Sequence, residues 1–305
     1  MLNDISERQR LPEFVDQIAA SSKAYATVKQ MATTQSVLAL SAAALGPIVS
    51  WACPACKAWA ALYALCILLF DIIFLEPTIK QKQELGARIQ EAFDTDLFRI
   101  PWNSFLCDPR PDPETIHNLA TKFKKTETTD RLLDWYPLSA SELPIEYGRL
   151  VCQRANMRWD STLRRGYFTL YVVLIFFMVI IAPAVSLYLK WDADRIVVSV
   201  LMPLLPAALK LFREGRKHQD SASASEKSKS ILEKIWHRGL TETVPQEEFL
   251  EASRRLQDTV FERRKSSPTV PQRVYMWFRD EYETDMRIGS EKMVLDAKNR
   301  LGINT

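Results

Sequence analysis

Residues Gly166 to Leu189 read GYFTLYVVLIFFMVIIAPAVSLYL, 24 consecutive positions without a charge between Arg165 and Lys190. As a helix at about 1.5 Å per residue this stretch is roughly 36 Å long, against roughly 30 Å of bilayer hydrocarbon. It reads as a membrane span, and three further apolar stretches are arranged around it. Gln30 to Cys56 holds 27 uncharged residues with its apolar centre from Val37 to Trp51. Ala58 to Leu75 is nearly as apolar but contains Asp71, and Ile196 to Phe212 contains Pro203, Pro206 and Lys210 near its end. The second and fourth stretches each follow a neighbour by a few residues, so they are expected as the return legs of two helical hairpins. The expected fold is all-α: a polytopic membrane protein with four transmembrane helices and a cytoplasmic helical module. The boundaries are an N-terminal helix in 1–30, hairpins at 31–77 and 166–212, a helical region and stalk at 78–165, and C-terminal helices at 213–305.

The composition is bimodal behind its averages: 305 residues are 47% hydrophobic and 25% charged, with a net charge of +3. Eight scattered glycines form no phosphate-binding loop, and three isolated histidines form no cluster for metal or triad chemistry. No enzyme, cofactor or metal site is expected. The near-neutral balance argues against a nucleic-acid polymer as partner. Lys23 and Lys29 precede the first span, Lys80, Lys82 and Arg88 follow the second, Arg154, Arg158, Arg164 and Arg165 precede the third, and Lys210, Arg213, Arg216 and Lys217 follow the fourth. The opposite loops offer Lys57, Lys190 and Arg195, so both termini and the central segment are expected in the cytoplasm. No signal peptide is expected, since the N-terminus lacks an early apolar core.

Leu11, Phe14 and Ile18 recur at three and four residues, the pattern of a one-sided helix that runs into the first span. Leu85, Ile89 and Phe93 continue the second span as a helix beyond Pro77. Asp94 to Pro113 reads as an ordered loop with Pro101-Trp102-Asn103, and Asp112-Pro113-Glu114 opens a helix with Ile116, Leu119, Ala120 and Phe123 inside. From Pro144 a single helix is expected to stand as a stalk with a charged outer face, turn Leu150, Val151, Ala155, Trp159 and Leu163 inward, and enter the third span. Ile231, Ile235 and Trp236 mark a further helix, and Thr243-Val244-Pro245-Gln246 reads as a capping box opening one with Phe249, Leu256 and Val260 inside. Arg263-Arg264-Lys265 reads as a solvated helix end.

Several of these runs together resemble a known family. Leu75-Glu76-Pro77, Pro101-Trp102-Asn103, Asp134-Trp135-Tyr136-Pro137 and Leu143-Pro144 precede the run Arg149-Leu150-Val151-Cys152-Gln153-Arg154-Ala155-Asn156. Trp159-Asp160, Leu163-Arg164-Arg165, Arg255-Leu256-Gln257-Asp258 and Tyr282-Glu283-Thr284-Asp285-Met286 follow. Their order around four spans resembles the SMODS-associated four-transmembrane effector family, from about Phe14 to Met286. The resemblance implies a pore-forming effector of bacterial antiphage defence in the inner membrane, gated by a cyclic nucleotide or oligonucleotide from a cognate synthase; since four spans with few polar residues form no ion pore alone, a homo-oligomer is expected.

For such a messenger the candidate contacts are Arg149, Gln153, Arg154, Asn156, Trp159, Asp160, Arg164 and Arg165, with Trp102, Trp135 and Tyr136 as stacking platforms beside them. Guanidinium forks suit phosphate, amides and carboxylates suit base edges, and aromatic planes suit stacking. A second reading has the arginines anchor the stalk to lipid headgroups and pair with Asp160, Glu142 and Glu146, while the aromatic residues pin loops to a helical core. Asp71 either lines a polar path or pairs with a positive group, and its place five residues before Glu76, close to the headgroups, favours an interfacial role over these. Cys53-Pro54-Ala55-Cys56 has the spacing of a redox pair or half a zinc site and lies on the outer side, where oxidation is possible, but without a thioredoxin context or a second ligand pair it reads as a turn in an outer loop. The rival function is a non-conducting, membrane-anchored scaffold or regulator that recruits a cytoplasmic partner.

Overall fold

With eight glycines in 305 residues, and most of the prolines at helix starts or in loops, little in this chain stops a helix once begun. The computed structural model describes the backbone of residues 2–188, 190–268, 270 and 272–303. It describes their side chains except at 46, 47, 50, 51, 54, 57, 182, 195, 199, 203 and 272–282. In chain order the helices are α1 (Ile5–Arg8), α2 (Pro12–Ala52), α3 (Lys57–Phe70), α4 (Glu76–Phe98), α5 (Ser104–Cys107) and α6 (Pro113–Lys124). They continue as α7 (Ile145–Phe176), α8 (Ala182–Tyr188), α9 (Ala193–Ile196), α10 (Met202–Thr241), α11 (Gln246–Ser266) and α12 (Gln272–Leu301). Turns of π-helix at Asp71–Leu75, Phe177–Ile181 and Val197–Leu201 join α3 to α4, α7 to α8 and α9 to α10. No strand occurs among the described residues.

α2 has 41 residues and α10 has 40, so each is about 60 Å long, roughly twice a hydrocarbon core. Each therefore has an apolar half and a charged half. The helices Ala58–Phe98 and Ile145–Tyr188 are long and apolar enough to cross a membrane, and 0% and 6% of their most apolar windows are buried. A core helix of a soluble protein buries such a stretch, whereas here Leu68, Ile72, Phe74, Val172, Phe176 and Ile180 stand exposed, as lipid contact requires. The protein is all-helical and membrane-associated.

The charged halves pack around one core in which Ile18, Ile89, Phe93, Leu97, Leu150, Met157, Leu232 and Phe249 are buried. The N-terminal helix does run unbroken into the first apolar stretch, and α6 turns Ala120 and Phe123 inward. Four expectations are corrected. Helix α4 continues through Asp94 to Phe98, because Glu91, Asp94 and Thr95 sit on a face that other helices cover; the loop begins at Arg99, whose φ of 53° ends the helix. The helix bearing Ile231, Ile235 and Trp236 is not separate but the far end of α10, which accommodates Pro206 near its start. Thr243 caps nothing: α11 follows an extended Pro245 without a side-chain cap. Finally, the stalk is no free-standing rod, since no residue from Leu143 to Arg164 is exposed.

What covers the start of the stalk is the N-terminus. Asn3 Nδ2 donates to the carbonyls of Ala140 and Leu143, both at 2.8 Å, and the Ser6 backbone N–H donates to Ser141 Oγ at 2.8 Å. This clamp needs Gly148 on α7: a Cβ there would lie 2.6 Å from Asn3 Nδ2 and 2.8 Å from the carbonyl oxygen of Ala140. Gly148→Ala is expected to cost about 1–3 kcal/mol by overpacking, read as a lower thermal unfolding midpoint in detergent. An unchanged midpoint would show that the approach is not tight.

Candidate sensing site and the cavity between the hairpins

Helices α4 and α11 meet through complementary stripes. On α4, Ala87, Glu91, Asp94 and Phe98 recur at three or four residues, and Glu91 and Asp94 are wholly buried. Facing them on α11 are Arg254, Gln257, Phe261 and Arg264 at the same spacing. Arg254 Nη2 donates to Glu91 Oε1 at 2.6 Å, Gln257 Nε2 donates to Glu91 Oε2 and Asp94 Oδ2, both at 2.8 Å, and Arg264 Nη1 donates to Asp94 Oδ2 at 2.5 Å. Tyr136 Oη closes the group at 2.7 Å from Asp94 Oδ1. Burial raises the Glu91 carboxyl above its usual range, against the pull of Arg254. Burial and then Asp94 push the Tyr136 phenol well above its usual value, so it stays a neutral donor.

A second cluster lies one helix over, just before the apolar half of α7. Asp160 Oδ2 accepts from Arg164 Nε at 2.8 Å and Ser225 Oγ at 3.2 Å, with Arg263 Nε at 3.4 Å. Burial opposes the charge on Asp160, but Arg164 and Arg263 outweigh it and hold the carboxyl below its usual range. Arg263 also donates to Asn156 Oδ1 at 2.7 Å, and Arg164 Nη1 donates to the Pro268 carbonyl at 3.0 Å. Arg164 Nη1 lies 3.3 Å from His218 Nδ1, and since arginine only donates, the ring proton belongs on Nε2. His218 is fully buried, its ring 4.8 Å from that of Tyr167, and Nε2 has no partner among the described residues. Burial, reinforced by Arg164, lowers His218 from 6.5 to about 3.

The candidate residues thus divide. Asn156, Asp160 and Arg164 meet in the second cluster. Gln153 and Tyr136 join the first, Gln153 Nε2 donating to the Ser253 carbonyl at 2.9 Å and to Gln257 Oε1 at 3.3 Å. Arg149 is buried and turns onto the carbonyls of Phe98 and Arg99. Tyr136 also stacks on Phe93 at 6.1 Å, which is the loop-pinning arrangement rather than an open platform. Trp135 is half-buried against the core, and Trp102 stands apart, half-buried beside Cys107 and Phe261 with the Arg110 guanidinium 5.0 Å from its ring centre. Arg154 pairs with Glu233 at 3.2 Å, Trp159 is half-buried, and Arg165 points outward, 63% exposed, 3.9 Å from Glu226. Pairing of the stalk with Asp160 is present; Glu142 instead pairs with Lys298 of α12.

Between the apolar halves of α2, α3, α7 and α10 lies a cavity of about 1700 Å³, aliphatic along its walls and charged at one mouth. Asp71 projects into it, with Gln35 and Lys210 beside it. At the opposite end a 3₁₀ turn, Pro54–Cys56, connects α2 to α3, and Cys53 and Cys56 are joined as a disulfide. Among the described residues no group of His, Cys, Asp and Glu is placed to hold a metal.

A family model described as the SMODS-associating 4TM effector domain matches residues 3–293. The chain belongs to this family. A protein of Bacillus cereus strain VD146 described as a probable CBASS effector molecule is 27% identical over 212 residues, covering 67% of this chain and 67% of that protein. No solved structure matches the chain significantly. In this 4TM effector the sequence reading missed Glu91, Asp94, Arg254 and His218, and it took Arg263 and Arg264 for solvated residues. Their side chains are 7% and 8% exposed, because the buried carboxylates of α4 and α7 draw them inward. The available signal was the matching of an acidic stripe on one helix with a basic stripe on another. For Tyr282 of the Tyr282–Met286 motif, the side chain lies outside the described residues.

Arg264→Met leaves Asp94 buried without its cation and is expected to cost about 3–5 kcal/mol. Lys265→Ala, which removes a half-exposed pair with Glu84 at 2.8 Å, should cost under about 1 kcal/mol. Comparable losses in thermal unfolding would contradict the buried-pair assignment. His218 makes a second expectation. Its folded value lies below its unfolded one, so the stability it contributes is complete above about 6.5 and is lost as pH falls from there toward 3. Between pH 7 and 5 the unfolding midpoint of the native chain should drop more steeply than that of His218→Gln; equal slopes would place the proton elsewhere.

Proposed function

We propose that this 4TM effector senses a cyclic nucleotide or oligonucleotide through its charged helical bundle and permeabilises the bacterial inner membrane as an oligomer during antiphage defence. The observation that carries the reading is the continuity of α7. One helix runs from the two buried charge clusters at Gln153 and Asp160 into the apolar stretch after Gly166, without a break before the π turn at Phe177–Ile181. A displacement imposed on its charged end is therefore delivered to its apolar end. Membership of an effector family and the relative described as a probable CBASS effector supply the context.

The proposed topology has four spans, both termini in the cytoplasm, and the Cys53–Cys56 turn outside. α3 and α7 are the legs best suited to lipid, and α2 and α10 complete the two hairpins. One protomer has few polar residues along its apolar halves, so a conducting path is assigned to several copies. Within the stalk set, Arg165 points outward and Arg154, Asn156 and Trp159 are half-exposed, and contact with a phosphate and a base is assigned to these four. A ligand acts here only through a difference in affinity between closed and open states.

The test is dye release from liposomes carrying the purified protein, with a panel of cyclic di- and trinucleotides. Release is expected with one messenger, and Arg154→Gln with Arg165→Gln should raise the messenger concentration needed by about tenfold or more, as loss of charge-assisted phosphate contacts predicts. Their insertion should match the native chain, and stability should fall by no more than loss of the half-exposed Arg154–Glu233 pair explains, under about 1 kcal/mol. No release with any messenger from inserted, folded protein would favour the scaffold.

A further inference from the structure

Two charged side chains reach one another across the apolar halves. Asp71 opens the π turn between α3 and α4, and Lys210 lies on α10, in the return legs of the two hairpins. Gln35 Nε2, on α2, donates to Asp71 Oδ1 at 2.5 Å, and Lys210 Nζ lies 3.7 Å from Asp71 Oδ2. One carboxylate thereby ties three helices of both hairpins, and all three side chains line the 1700 Å³ cavity. Lys210 Nζ is buried and makes no hydrogen bond among the described residues, so Asp71 is the group that compensates its charge at this depth. At the mouth, by contrast, Lys80 is paired with Glu76 at 2.8 Å, Lys217 with Glu214 at 3.0 Å and Lys265 with Glu84 at 2.8 Å. Those lysines are paired within or next to their own helices, whereas the Asp71–Lys210 contact joins one hairpin to the other.

The backbone at Asp71 adds a second element. A π turn carries one residue more than the α register allows, and such turns inside helices recur where a helix must change. Returning it to α geometry rotates one flank against the other by about 100°, one residue's share of a helical turn. With α4 held by its buried pairs to α11, the flank free to rotate is α3, which lies on the side of the apolar half.

We propose that Asp71, held by Gln35 and Lys210 at the π turn, is the latch that keeps the two hairpins closed around the cavity, and that its release, with relaxation of the π turn and rotation of α3, is the opening step. This rests on the conducting reading. Removing one charge leaves the other unpaired in an apolar setting and destabilises the closed state; exchanging the two charges restores the pair.

The experiment compares the native chain, Asp71→Asn, Lys210→Met, Asp71→Glu and the double exchange Asp71→Lys with Lys210→Asp. Each is inserted to the same density in dye-loaded liposomes and also unfolded in detergent. Each neutralised variant is expected to leak without messenger about tenfold or more faster than the native chain, a shift of a size that loss of one differential contact produces. Asp71→Glu and the exchange should stay tight. Tight membranes with both neutralised variants, while the native chain releases dye on messenger, would overturn the latch. So would an exchange that leaks as fast as the single variants. If no variant and no messenger produces release, the conducting reading fails, and unfolding decides the contact by itself. Midpoints lowered by each single change and regained by the exchange uphold the inter-hairpin tie; no regain removes it.

Discussion

Glu91 and Asp94 have no access to solvent, and a carboxylate in that position demands partners. α11 brings them: Arg254, Gln257 and Arg264 arrive at three- and four-residue intervals, with Tyr136 added from the loop before α7. The requirement propagates. Once α11 is seated on α4, its Ser253 and Gln257 meet Gln153, and its Arg263 meets Asn156 and Asp160, so α7 is located by the same helix. A segment over 150 residues downstream of α4 is thereby a condition for burying α4 at all, and removing either side leaves uncompensated charge in the core.

The same logic separates neighbours at the edge of the apolar half. Arg164 and Arg165 look alike as a basic pair before a span, yet Arg164 is 10% exposed and bound to Asp160 while Arg165 is 63% exposed. Consecutive helical positions point about 100° apart, so one serves the interior and the other faces the level where lipid headgroups would lie. His218 sits behind Arg164 as a neutral acceptor, with Tyr167 and Tyr171 closing over its ring. The border between charged and apolar halves is thus a packed polar joint, not a ring of solvated arginines.

The running of α2 and α7 into their apolar stretches, Ala120 and Phe123 on the inner face of α6, and the inward Leu150, Val151 and Ala155 were legible in the sequence, because apolar side chains at three- and four-residue spacing identify a buried face by themselves. The polar inner faces were not. Arg254, Gln257 and Arg264 are hydrophilic whether they face water or Glu91, and only the partner helix decides between the two. Periodicity reports how each residue partitions, and a buried ion pair is a property of two residues distant in sequence. The same limit explains Tyr136 and Gln153: their grouping with a charged stalk was apparent, but not that the core itself supplies their partners.

Helices α7 and α10 show what these buried pairs imply for movement. Tyr147 Oη donates to the Gly239 carbonyl at 2.6 Å, Arg154 meets Glu233, Ser161 meets Glu226, Arg164 meets His218, and Tyr171 packs where Gly215 has no side chain. The two helices run antiparallel in one register from the core to the apolar half. Sliding one along the other by less than a full turn would break each of these contacts without offering replacements, since packed interfaces deform poorly and switch between discrete arrangements. Small displacements are therefore resisted along the whole length. A stimulus strong enough to move α7 at Arg154 would therefore act on α7 and α10 together, and on α11, whose Gln257 and Arg263 hold α7. In the apolar halves the pair of α7 and α10 adjoins α2 and α3, and there Lys210 of α10 reaches Asp71 beside the cavity.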